Sequence, residues 1–184
     1  MTGTLHAFLG QPCRRYRDFQ VAYTLLTLNF VIPALSYTFQ PDVAVASFLD
    51  LNALLGGTPY TFPEAGSRLW RYLGAANVMT LGFSCFLLQL DLRRFYAVLV
   101  PLTFMKAYAA TCWLFGWFVD PGARVFLAAA LFDFATCAAF VFFAVRARRE
   151  MDARPDAPLV PRPLSARVRA GTGGGPSTPA GEAA

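Results

Sequence analysis

This 184-residue chain predicts an all-α fold: a four-helix transmembrane bundle with a short interfacial helix between spans one and two. Three observations lead there. Hydrophobic residues make up 56% of the chain and charged residues only 15%, where a soluble domain carries about a quarter charged residues. The charges are clustered, at Arg14 to Asp18, at Asp91 to Arg94 and from Arg146 onward. Between the clusters lie four apolar runs, each close to the length of about 20 residues that crosses a bilayer as a helix.

The runs are residues 19–40, 72–90, 95–119 and 125–145. They define a transmembrane domain over 19–149, preceded by an N-terminal segment, 1–18, and followed by a tail, 150–184. The first run is too long for the apolar core of a signal peptide, and IPALSY is a poor cleavage site. Cys13 lacks the preceding apolar region that a lipoprotein site needs. After the first run, Val45, Phe48, Leu49 and Leu55 fall near one helical face, until Gly56 and Gly57 stop the helix. That segment is too short to span, so it lies on the outer membrane surface or caps the bundle. Asp91 to Arg94 and Asp120 to Arg124 are tight connections, which predict that spans two, three and four form consecutive antiparallel hairpins. Pro33 and Pro101 fall within spans, where neighbouring groups can satisfy the freed carbonyl. The tail is rich in Pro, Gly, Ala and Arg, with too little apolar content to offset the entropy of ordering it, and is expected to be disordered.

The net charge of +5 is not a nucleic-acid signature, because the arginines flank the apolar runs instead of forming one patch with interleaved aromatics. Arg14, Arg15, Arg17, Arg93, Arg94, Arg146, Arg148 and Arg149 fall at one end of the expected bundle. By the positive-inside rule that end, with both termini, is cytoplasmic. Trp70, Trp113 and Trp117 fall toward the other interface, where indoles anchor. Fifteen arginines against one lysine, with abundant Ala, Gly and Pro, suggest a GC-rich bacterial genome and hence the inner membrane.

That single lysine, Lys106, lies deep within span three, and Asp133 lies deep within span four. On insertion scales each costs roughly 2.5–3.5 kcal/mol at a helix centre, so such residues face the bundle interior and take a partner. Lys106 is fifteen residues before Pro121 and Asp133 twelve after it. At about 1.5 Å of rise per residue their depths differ by a few ångströms, within reach of a lysine stem. A Lys106–Asp133 pair is therefore expected. Small residues flank both members: Ala109 and Ala110 in span three; Ala129, Ala130, Thr136 and Cys137 in span four. Span two offers Gly74, Asn77, Thr80 and Ser84 at similar spacing, and span one offers Asn29. The expected shared interior thus holds Asn29, Asn77, Lys106 and Asp133, as candidates for ligand binding or proton exchange. Lysine, unlike arginine, can lose its proton when buried, so the pair can serve proton exchange or simply clamp two helices.

No catalytic motif appears. His6 precedes the first span, so paired-histidine haem ligation is not available. The four cysteines, Cys13, Cys85, Cys112 and Cys137, form no C-x-x-C pair and read as small buried hydrophobes. No metal or other cofactor is indicated.

LNALLGG after span one, RYLGAANVMTLGF opening span two and DLRR before span three carry a resemblance to the DoxX-like group of small bacterial four-helix integral membrane proteins. It covers residues 19–149. It implies an inner-membrane protein without a soluble catalytic domain of its own, in a group some of whose members accompany sulfur-compound and quinone oxidation. Two functional readings stand. One is a non-enzymatic accessory subunit, or a binder of a lipid, quinone or other hydrophobic small molecule in a polar-lined interior. The other is a small membrane enzyme or proton-coupled carrier using Lys106 and Asp133. The expected partners are the lipid bilayer, a membrane protein or hydrophobic molecule, and, for a carrier, further copies of the chain.

Overall fold

The computed structural model describes residues 13–59 and 64–155, with residues 64–70 described by their backbone alone. Among these are five α-helices and no strand: α1 (Arg14–Phe39), α2 (Pro41–Leu54), α3 (Glu64–Leu90), α4 (Leu99–Val119) and α5 (Arg124–Ala153). A short 3-10 turn, Tyr96–Val98, leads into α4. The four long helices are each long and apolar enough to cross a membrane. Helix α2 is the short segment expected between the first two spans. Most of the N-terminal segment, most of the tail and the Trp70 side chain lie outside the described residues.

Helices α1 and α5 overrun the expected spans: α1 begins at Arg14 and α5 continues to Ala153. The extra turns are polar and hold the chain-terminal end of the bundle together. Glu150 Oε2 accepts the Arg15 backbone N–H at 2.8 Å, placing a carboxylate on the positive end of the α1 dipole. Arg93 donates to the Met151 carbonyl at 2.7 Å, and Arg148 pairs with Asp152 at 2.8 Å. Asp91 Oδ1 accepts the N–H groups of Arg93 and Arg94, each at 3.0 Å, closing the turn after α3. Pro101 sits in the first turn of α4, where its missing N–H is not required.

The packing order corrects the expected hairpins. Helices α4 and α5 do pack along their lengths, but α3 packs chiefly on α1, and α1 in turn packs on α5. Helices α3 and α4 share little contact despite their short connection. The physical reason lies on the second span, where the packed stripe is Ala75, Val78, Gly82, Cys85 and Gln89, not Gly74, Asn77, Thr80 and Ser84. At Gly82 the two backbones come so close that a Cβ would stand 2.9 Å from Val31 Cγ2. Nearer the chain-terminal end, Gln89 Nε2 donates to the Tyr23 carbonyl at 2.9 Å and to Thr27 Oγ1 at 2.7 Å. Thr24 Oγ1 returns a bond to Gln89 Oε1 at 2.8 Å, and Gln20 Nε2 donates to the Gln89 carbonyl at 3.1 Å. With no water available in hydrocarbon, such internal satisfaction is what lets amides lie between spans.

The core is aromatic. Phe19, Tyr23, Phe30 and Phe140 are buried with Cys85, Leu88, Leu92 and Leu102. The Tyr23 hydroxyl donates to the Phe140 carbonyl at 2.9 Å. At the opposite end Asn52 ties α2 to α5: its Nδ2 donates to the Thr58 carbonyl at 2.7 Å and its Oδ1 accepts the Val125 N–H at 3.2 Å. Gly57 packs against it, and a Cβ there would stand 2.3 Å from Asn52 Oδ1.

Candidate functional site

Lys106 and Asp133 meet. The Lys106 ammonium donates to Asp133 Oδ1 between α4 and α5, with only 8% and 5% of the two residues exposed. Their neighbours explain the closeness: Ala110 on α4 and Ala130 on α5 are buried at the same seam. Small side chains let membrane helices approach. Helix α1 closes the third side, with the Phe30 ring centroid 5.1 Å from Lys106 Nζ. Phe132 lies 6.0 Å away on α5. The ammonium thus has a carboxylate in contact and two aromatic rings within cation–π range.

The seam continues in polar residues. Thr136, one turn beyond Asp133, bonds the Phe132 carbonyl at 2.8 Å. Cys137 Sγ donates to the Thr103 carbonyl at 3.6 Å. The buried Thr103 hydroxyl has no hydrogen-bond partner among the described residues. Chemically, the pair can hold a proton between amine and carboxylate, and it can clamp α4 to α5. The described residues contain no group of three His, Cys, Asp or Glu side chains that could hold a metal ion.

Asn29 and Asn77 do not join the pair. Both are exposed on the outer surfaces of their helices, and neither side chain takes part in a hydrogen bond among the described residues. Pro33 lies in the α1 interior and lacks the N–H that would bond the Asn29 carbonyl in a regular helix. The expected four-residue polar interior is therefore a two-residue one. Among the described residues, the buried amides are Gln20, Asn52 and Gln89. Their sequence signal was position: each lies near the end of a helix, where an amide reads as a boundary residue. The cysteines divide as well. Cys13 and Cys85 are buried as small hydrophobes, Cys137 is half-buried, and Cys112 is exposed on α4.

No protein-family model, curated protein or solved structure matches this chain. Its class rests on the helices themselves. Four of them have the length and apolarity to cross a bilayer, and large hydrophobic side chains cover their outer faces, among them Leu25, Ile32, Phe83, Phe104, Phe115 and Leu131. The chain is an integral membrane protein, with the lipid bilayer as its surroundings.

Proposed function

We propose that this chain is a non-enzymatic accessory subunit of the bacterial inner membrane that docks laterally on a membrane-protein partner. The observation that carries the reading is the pair of exposed amides, Asn29 and Asn77, within spans and without hydrogen bonds among the described residues. Burying an amide in hydrocarbon without a bond costs roughly 2–7 kcal/mol. A partner helix with its own polar groups would recover that cost, and interhelical bonds of this kind hold membrane helices together. The aromatic filling between the helices favours lateral docking over a hydrophobic ligand held inside the bundle. The arginines at the chain-terminal end support cytoplasmic termini, and the DoxX-like resemblance supports an accessory role in the inner membrane.

A photo-crosslinking residue at Thr80, one turn beyond Asn77 on the same exposed face, tests this in native membranes. A discrete protein adduct that disappears when Asn77 becomes Leu is the expected result. Lipid adducts alone would contradict it.

A second reading, a proton-coupled carrier or small membrane enzyme, is favoured by one observation: the buried Lys106–Asp133 contact. Proton uptake or turnover that is lost in Lys106→Met would establish it over the accessory reading.

A further inference from the structure

Beside the loop that follows α2, a groove of about 480 Å3 opens between that loop and the facing ends of α4 and α5. Its walls are apolar: Leu55 on the loop, Trp117 on α4, and Leu127, Ala128 and Leu131 on α5. Among the described residues, its one charged lining residue is Arg124. The guanidinium is held in place from the loop side. Nη1 donates to the Leu55 carbonyl at 2.9 Å, and the bare face of Gly56 lies against it, where a Cβ would stand 3.0 Å from Nη1. Gly56 has φ +73°, a conformation glycine adopts readily, so this position favours glycine on two independent grounds. No ion pair among the described residues includes Arg124. Of the nearby acids, Asp120 turns its Oδ1 to the Gly122 N–H at 3.1 Å.

We propose that this groove binds an anionic phospholipid, the phosphate on the Arg124 guanidinium and an acyl chain along Leu127 and Leu131. The proposal is independent of the docking face on α3. Three features select this ligand. A planar guanidinium matches a phosphodiester with two parallel bonds. Leu131 lies seven residues beyond Arg124 on the same helix, about 10 Å deeper into the span, and is 63% exposed, so the wall continues where an acyl chain would run. A zwitterionic headgroup brings a cation for which the groove lining has no carboxylate among the described residues, whereas an anionic one leaves the Arg124 charge neutralised.

The test uses the full chain with Trp117 as sole tryptophan, through Trp70→Phe and Trp113→Phe, in phosphatidylcholine nanodiscs. Brominated phosphatidylglycerol and brominated phosphatidylcholine are compared as quenchers at equal mole fraction. The anionic lipid should quench about fivefold more effectively, the preference that one interfacial arginine supplies. Arg124→Gln should bring the ratio to about one, and Arg124→Lys should leave an intermediate ratio, because an ammonium keeps the charge but not the two parallel bonds. Ala128→Phe fills the groove without touching the cation and should reduce quenching by the anionic lipid; it carries the test if Arg124→Gln fails to fold. Equal quenching in the parent protein, or a ratio that survives Arg124→Gln, would overturn the proposal. Soluble glycerol phosphate should not relieve the quenching. Relief would mean that a phosphate group alone is recognised, which would overturn the acyl-chain part.

Discussion

Lys106 is the only lysine in the chain, and its side chain ends on Asp133. Removing one member of a buried ion pair typically costs about 3–5 kcal/mol, because the other charge is left unpaired, whereas replacing both with apolar residues is often close to neutral. Lys106→Met and Asp133→Leu should therefore each lower the melting temperature in detergent, and the double variant should recover most of the loss. Losses that simply add would show that the two charges do not stabilise each other. The amides make a second contrast. Gln89 side-chain atoms make three hydrogen bonds to α1, each worth about 0.6 kcal/mol between membrane helices. Gln89→Leu should thus cost about 2 kcal/mol, while Asn77→Leu should leave the isolated protein as stable as before. Denaturant unfolding in micelles reads both, and an Asn77→Leu loss as large as that of Gln89→Leu would put Asn77 inside the bundle. The ion pair was legible in the sequence because an intramembrane charge needs a partner and a tight hairpin fixes the depths. The amides were not, since polarity says that a residue needs a bond but not which way it points.

At the scale of helices, length and count were legible from the apolar runs, and neighbour choice was only half legible. The hairpin of α4 and α5 followed from its short turn. The same logic failed for α3 and α4, because a short connection fixes where two helices start but not how far they stay together. Span two carries two stripes of small residues one position apart, and composition alone does not separate them. Close approach does: a Cβ at Gly82 meets Val31 and Phe30, while one at Gly74 meets nothing within 4 Å. Gly82→Leu should accordingly wedge α1 from α3 at about 1–3 kcal/mol, the usual cost of overpacking. Gly74→Leu should be tolerated. Thermal melts of the two variants check this, and the reverse order would restore the stripe through Asn77 as the packed one.

At the scale of the whole molecule, four spans bring the start of α1 and the end of α5 to one end of the bundle, and α2 lies at the other. The polar closure at the chain-terminal end, made by Arg15, Arg93, Arg148, Glu150 and Asp152, fits an aqueous face. So does the exposure of Asp50 on α2 at the opposite end. The overruns of α1 and α5 were hidden in the sequence because arginine, aspartate and glutamate continue a helix past the hydrocarbon without continuing its apolar pattern. Everything proposed about docking, lipid and orientation depends on this arrangement, and one measurement addresses it most directly. Single cysteines at Asp50 and at Ala153, in a chain whose native cysteines are replaced by alanine, are exposed to an impermeant maleimide on intact cells and again after lysis. The expected result is labelling of Asp50→Cys on intact cells and of Ala153→Cys only after lysis. Labelling of both on intact cells, or of Ala153→Cys alone, would contradict it.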